Sequence, residues 1–285
     1  MPISPPEYMP ALITPFTRDG SLDEKAHVRN VRKLAERGIE GFVLGGSNGE
    51  GPYLEPGERA RLVKSIRRRK THIMAGIAAE SLRSAVSAMR EVTEAGADSV
   101  LVMTPTTLSR GREEAVEYFY TTLADEAELP LFLYSVPSVT AYSMPLPTVE
   151  KLSKHPKIVG MKDSSGDVVR LQAIVDAASS EFILYSGSSR ALTAAITVGC
   201  HGAITGSGNY APQLVLETIA AAKRNPLEAK RHQGRLSAIS ADIEAYGVPG
   251  VKAASKAAGL EPGYPREPLT RVARGVETSI AKQIP

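Results

Sequence analysis

Eight short apolar, β-rich runs recur along the chain: ALITPF, GFVLGG, IMAGIA, SVLVM, LFLYS, KIVGMKD, FILYSG and GAITG. The segments between them carry the apolar spacing of amphipathic helices, for example Asp23 to Arg37, Pro56 to Arg69, Ser81 to Ala95, Arg112 to Glu126 and Val168 to Ala178. Strand alternating with helix dictates a parallel sheet with right-handed crossovers. Eight units of roughly 20 to 30 residues each predict a closed α/β fold, the (β/α)8 TIM barrel, over an open doubly wound sheet. A chain of 285 residues fits two average domains or one such barrel, so length alone does not decide between them.

Local signals agree with this division. Ser21 with Glu24 three residues on has the pattern of a capping box, and Gly38 follows Glu36 and Arg37 where a helix would end. The eighth run stops near Gly206. Beyond the eighth helix, Pro226 to Ala245, Gly250 to Ala258 and Pro268 to Ala281 read as further helices with no strand pattern among them. We therefore expect a barrel carrying the active site over residues 1–224 and a small C-terminal helical appendage over 225–285.

Composition excludes several classes of function. Apolar residues at 42% and charged residues at 23% suit a globular domain with a sizeable core, and no stretch approaches the ~20 apolar residues of a membrane span. The opening MPISPPEYMP lacks a basic segment followed by an apolar one, so the expected location is the cytoplasm. Net charge is only +3, and the basic cluster Arg67, Arg68, Arg69 and Lys70 reads as the last turn of a helix. No aromatic residues interleave there, so no nucleic-acid partner is expected. The histidines fall at no metal-ligand spacing and the single Cys200 reads as a buried thiol, which leaves no metal and no cofactor expected.

In a barrel the chemistry sits where strands run into the following loops, and here those junctions are rich in small residues: GGSNGEG, MTPTT, LYSVPSVT, MKDSSGD, YSGSS and TGSGN. Glycines let backbone N–H groups approach an anion closely, and Ser47 and Asn48 would present such groups to a carboxylate or phosphate. Gly46, Gly49 and Gly51 do not fit a dinucleotide fingerprint, and no P-loop lysine follows.

The sharpest feature is Lys162 at the end of KIVGMK. Desolvating an ammonium is costly unless it is paired or gives up its proton, so the position suits either a structural ion pair or a nucleophilic amine. Strand parity predicts that Lys162, Gly160 and Ile158 face inward with Val159 and Met161 outward, and that Tyr134 on the neighbouring strand ends level with Lys162. A phenol beside an amine suits imine chemistry, in which a proton moves at each step. Asp163 should point away from the amine.

These motifs resemble the dihydrodipicolinate synthase and N-acetylneuraminate lyase family of class I aldolases. ITPF, GSNGE, LYSVP, GMKDSSGD and GAITGSGN stand in the family's order, and the wording of LSKHPKIVGMKDSSGD, LYSVP and YGVPGVK is similar to the 4-hydroxy-2-oxoglutarate aldolase branch. The resemblance implies Lys162 as the Schiff-base lysine, Tyr134 as proton shuttle and Ser47 as hydroxyl relay. It implies that the Ser47 and Asn48 N–H groups hold the carboxylate of a 2-keto acid, with Gly46, Ser164, Ile204 and Thr107 as further substrate contacts. It also implies a homotetramer built as a dimer of dimers.

Two departures stand out. Thr106 and Thr107 occupy the place of the family's tyrosine pair, so the relay is altered, assisted by water or completed by other residues. Val139 stands where dihydrodipicolinate synthase carries an arginine that grips an aldehyde substrate's carboxylate. The expected activity is cleavage of a 4-hydroxy-2-oxo acid to pyruvate and an aldehyde. A dehydratase on the same imine, a dihydrodipicolinate-synthase-like condensing enzyme and a non-catalytic keto-acid sensor are the alternatives. Arg110 and Arg112 are either contacts for the second substrate or the solvated start of a helix.

Overall fold

The computed structural model describes residues 5–67 and 71–284. Eight parallel strands form one sheet: β1 (Tyr8–Pro10), β2 (Gly41–Leu44), β3 (His72–Ile77), β4 (Ser99–Met103), β5 (Leu131–Ser135), β6 (Ile158–Asp163), β7 (Ile183–Ser186) and β8 (Gly202–Thr205). Each pairs with its sequence neighbour, β1 pairs with β8, and a bridge from Ala11 to Val43 joins β1 to β2, which closes the (β/α)8 barrel. Two apolar layers result. Met9, Ala11, Val43, Met74, Leu101, Phe132, Tyr134, Val136, Tyr185 and Ile204 fill the interior. A larger layer, including Leu131, Leu133 and Met161, lies between sheet and helices.

Most expected boundaries hold to within two residues, and the exceptions have local causes. The first strand is Tyr8–Pro10 instead of ALITPF. The ladder ends early because the Ile13 N–H donates to the Asn209 side chain at 3.1 Å, not to a neighbouring strand. The first helix, Glu24–Glu36, is capped by Asp23, whose carboxylate accepts the Ala26 N–H. Ser21 is unavailable as a cap, since its backbone closes a turn with Thr17 and Asp19. The second helix, Glu58–Ile66, starts after Gly57 at φ 85°, and Arg67 beyond it pairs with Asp98 at 2.9 Å. Arg68, Arg69 and Lys70 lie outside the described residues. Cys200 is buried, which pushes its thiol up to about 12.

The parity expected on β6 is only half realised. Its register against β5 shifts between Leu131 and Phe132, so Ile158 joins the outer layer while Val159 packs against the interior. From Gly160 onward the alternation runs as expected. A Cβ on Gly160 would lie 2.5 Å from the Phe132 ring and 2.3 Å from the Ile183 carbonyl, so this glycine admits the ring that floors the barrel below Lys162.

After β8 and its helix Pro212–Ala222, the chain adds helices Pro226–Glu244, Gly247–Ala257 and Arg274–Ala281. Asn225 caps the first of them by accepting the Leu227 and Glu228 N–H groups. The expected helix from Pro268 begins only at Arg274. Arg266 and Leu269 close a turn instead, and the Arg266 side chain is drawn across to Glu58 and Gly20, which fixes this stretch outside a helical path.

Candidate active site

β5 and β6 place Tyr134 and Lys162 side by side as register partners at their C-terminal ends. Lys162 is 4% exposed, and its Nζ donates to the Tyr134 hydroxyl at 3.3 Å while lying 4.4 Å from the centre of the same ring. The ammonium thus leans over the phenol and touches its oxygen. Asp163, the adjacent carboxylate, faces the other way: it is fully buried, pairs with Arg170 at 2.9 Å and accepts the Ser165 N–H. The ion-pair alternative for Lys162 therefore loses its nearest candidate partner.

The Tyr134 hydroxyl also meets the Ser47 hydroxyl at 3.2 Å, so Lys162, Tyr134 and Ser47 form a continuous line of proton-bearing atoms from β6 across β5 to the loop after β2. Burial pushes the phenol's ionisation up. The charge of Lys162 and hydrogen bonds from Ser47, Lys162 and Ser164 outweigh that effect and hold Tyr134 below its usual range. A phenol tuned downward next to an amine can take and return a proton at modest cost.

The loop carrying Ser47 is shaped by close backbone contact. A Cβ on Gly51 would fall 1.9 Å from the Gly45 carbonyl, and Gly45 itself adopts φ 65°, so only glycine permits this turn. Thr14 donates to the Gly49 carbonyl at 2.6 Å and ties the turn to the segment that follows β1. Among the described residues, the Ser47 and Asn48 N–H groups donate to no acceptor, which leaves them free for an anion. The Asn48 side chain lies where a Cβ on Gly206 would come within 2.9 Å of its Nδ2.

Ser164 packs on Gly187, where any Cβ would come within 1.9 Å of its hydroxyl. Ile204 is fully buried in the interior with Tyr134. Gly46 stands in the turn with Ser47, and its carbonyl accepts the Gly51 N–H. Ser47, Tyr134, Lys162, Ser164 and Ile204 are thus brought together. Thr107 is not: it is exposed in the loop after β4, where its N–H and that of Thr106 donate to the Glu80 carboxylate at 2.8 and 3.1 Å. Val139 is 59% exposed, and Arg110 and Arg112 are exposed as well.

Two groups near this face carry no signal in the sequence. Glu80 meets Thr106 and Thr107 only through the fold. Glu244, from the helix after β8's own, accepts from Ser189 at 3.0 Å and Tyr210 at 3.4 Å, and burial holds its carboxyl above the usual range. Among the described residues no group of three or more His, Cys, Asp or Glu side chains is arranged for a metal ion. No helix among them is long and apolar enough to cross a membrane.

Known proteins share this architecture. The chain is 32% identical over 276 residues to the 4-hydroxy-tetrahydrodipicolinate synthase of Laribacter hongkongensis, covering 95% of this chain and 94% of that one. It is 33% identical over 267 residues to an uncharacterized DapA-like lyase of Halobacterium salinarum, covering 92% of this chain and 87% of the relative. The crystal structure of the dihydrodipicolinate synthase from Acinetobacter baumannii complexed with pyruvate superposes with a TM-score of 0.91 at 29% identity, over 97% of each chain. The model of the dihydrodipicolinate synthetase family matches residues 5–285, and with relatives this similar along nearly their whole length it places the chain in that family, as a class I aldolase-type enzyme.

Proposed function

We propose that this enzyme cleaves a 4-hydroxy-2-oxo acid to pyruvate and an aldehyde through an imine on Lys162. The observation that carries the reading is the hydrogen-bonded line from Lys162 through Tyr134 to Ser47, which ends beside two unoccupied backbone N–H groups. The N–H groups of Ser47 and Asn48 suit the keto acid's carboxylate, and this sets its C2 carbonyl within reach of the amine. Lys162 Nζ adds to C2, Tyr134 protonates the resulting alkoxide, and loss of water leaves the iminium. A base removes the proton of the C4 hydroxyl, the C3–C4 electron pair flows into the iminium, and the aldehyde departs. The enamine then takes a proton at C3, and water releases pyruvate and the free lysine.

The choice of cleavage over condensation rests on the aldehyde side. A condensing enzyme of the dihydrodipicolinate type needs a cation for its second substrate's carboxylate, and Val139 offers none. The acceptor of the Ser47 proton comes from water or a neighbouring subunit, because Thr107 is exposed in the loop after β4, whose backbone N–H groups at Thr106 and Thr107 are held by Glu80. A tetramer built from dimers would supply such a neighbour. We place the enzyme in the cytoplasm and treat residues 225–285 as an extension of the barrel.

Borohydride reduction with pyruvate present tests the imine, with added mass expected on the peptide containing Lys162. Product analysis separates the activities: pyruvate plus an aldehyde supports cleavage, whereas a dehydrated keto acid alone would establish the dehydratase. Saturable pyruvate binding with no turnover across hydroxy-oxo acids would leave only a sensor.

A further inference from the structure

The motif YGVPGVK contains a second buried lysine, Lys252, that the reaction does not use. It lies on the helix Gly247–Ala257, and its side chain is 4% exposed. Its Nζ stands 2.6 Å from Oε1 of Glu50, whose side chain is fully buried. The contact is a buried ion pair. The other oxygen, Oε2, accepts the backbone N–H of Arg266 at 2.7 Å. Lys252 also donates to the Tyr264 carbonyl at 2.5 Å and lies 4.9 Å from the Phe16 ring centre. The Arg266 guanidinium sits 4.0 Å over the same ring and reaches Glu58 and the Tyr53 carbonyl. Two segments of the C-terminal extension thus grip the loop after β2 and the helix that follows it.

Glu50 closes the turn that carries Ser47 and Asn48. It is a non-glycine residue held at φ 54°, a left-handed conformation that a side chain adopts only under restraint. Its N–H donates to the Ser47 carbonyl at 3.1 Å. A buried ion pair is a poor device for stability alone, since apolar residues of similar volume do as well or better. A fixed pair joining a strained residue to a distant helix does specify geometry.

We propose that Lys252 and Arg266 are positioning residues. Acting through Glu50, they hold the Ser47 and Asn48 N–H groups in the geometry that binds the carboxylate of a 2-keto acid, which makes the C-terminal extension part of the active site. The identity of that ligand rests on the keto-acid reading above, whereas the latch itself does not. Burial pushes Lys252 down to about 8, with Glu50 opposing that effect and the charge of Arg266 reinforcing it. The charged groups acting most directly on Lys252 are Glu50 and Arg266, with Glu58 beyond Arg266, while Lys256, Arg271 and Glu277 line the same small cavity and pair among themselves. As pH rises through about 8 the ammonium is lost and Glu50 keeps only its backbone anchor.

The test is pyruvate-dependent borohydride trapping in the wild type, in Lys252→Met and in the double variant Glu50→Gln with Lys252→Met, which leaves no orphaned charge and so guards against a variant that fails to fold. Half-saturating pyruvate should rise on the order of ten- to a hundredfold in the folded variants, with the limiting trapping rate little changed. The wild type should also bind pyruvate less well above pH about 8, and the double variant should lose that dependence. Wild-type half-saturation in either folded variant, or an unchanged alkaline profile in the double variant, overturns the proposal. Amide exchange of residues 46–51 in the wild type, corrected for its intrinsic pH dependence, should quicken between pH about 7 and 9 as Lys252 deprotonates. If the wild type is not trapped with pyruvate at all, the keto-acid reading fails, while an exchange rate that ignores pH removes the latch.

Discussion

The hydroxyl of Tyr134 lies 3.3 Å from Nζ of Lys162, and the two residues are directly paired across β5 and β6. The contact is fixed by the sheet itself, because parallel register decides which side chains share a level of the barrel. An amine and a phenol set by backbone hydrogen bonds need no loop movement to meet.

If Tyr134 moves protons to and from the carbinolamine, Tyr134→Phe should keep the fold and lower turnover by about a hundredfold or more. Imine trapping with pyruvate should persist at a slower rate, since the amine remains in place. Turnover and trapping rates measured on the same preparation decide the matter; an unchanged turnover would remove Tyr134 from the reaction.

Ser47 supplies one of the hydrogen bonds that hold the Tyr134 phenol below its ordinary range. Ser47→Ala removes a donor to the phenolate, which is the charged form, so ionisation of Tyr134 should move to higher pH. Ultraviolet difference titration, with Tyr134→Phe subtracted to isolate this phenol, reads the shift. A midpoint that stays put or moves down contradicts the assignment.

Gly160 admits the Phe132 ring below Lys162, and a methyl group there would meet both that ring and the Ile183 carbonyl. Gly160→Ala should cost about 1–3 kcal/mol or more through overpacking, because one of the two obstructing atoms belongs to the backbone and cannot rotate away. Urea denaturation at constant slope gives the difference. A loss below about 0.5 kcal/mol would mean that both the Phe132 ring and the Ile183 backbone give way.

How much of this was legible in the sequence depended on the range of the interaction. Periodicity is local, so seven of the eight strands were placed, the first lying at Tyr8–Pro10 ahead of ALITPF, and the Tyr134 to Lys162 pairing followed from parity near the strand ends. Parity failed at Ile158 because the register shift on β6 arises from the partner strand. Ser21 misled because Asp23, two residues on, offers a cap of equal chemistry, and only the turn with Thr17 decides between them. The contacts of Glu50 with Lys252 and of Glu80 with Thr106 join segments far apart in the chain, and no single window of sequence holds both partners.

His27 offers a test of the fold that is independent of the chemistry. Its ring is 1% exposed, and neither nitrogen makes a hydrogen bond to another described residue. Burial pushes it down to about 4, and the nearby Leu62 carbonyl offsets only part of that effect. The unfolded chain takes up a proton near the ordinary 6.5 while the folded chain refuses it until about 4. This group's contribution is therefore intact above pH 6.5 and lost as pH falls from there toward 4, by roughly 3 kcal/mol in all. Carboxylates also titrate in this window, so the informative quantity is the difference between wild type and His27→Leu, whose side chain cannot be protonated. Denaturant stability measured at pH about 7 and about 4.5 should fall less in the variant than in the wild type. Equal falls would mean that the imidazole reaches water or a partner in the folded chain, and that the packing of the first helix against the second is looser than the structure shows.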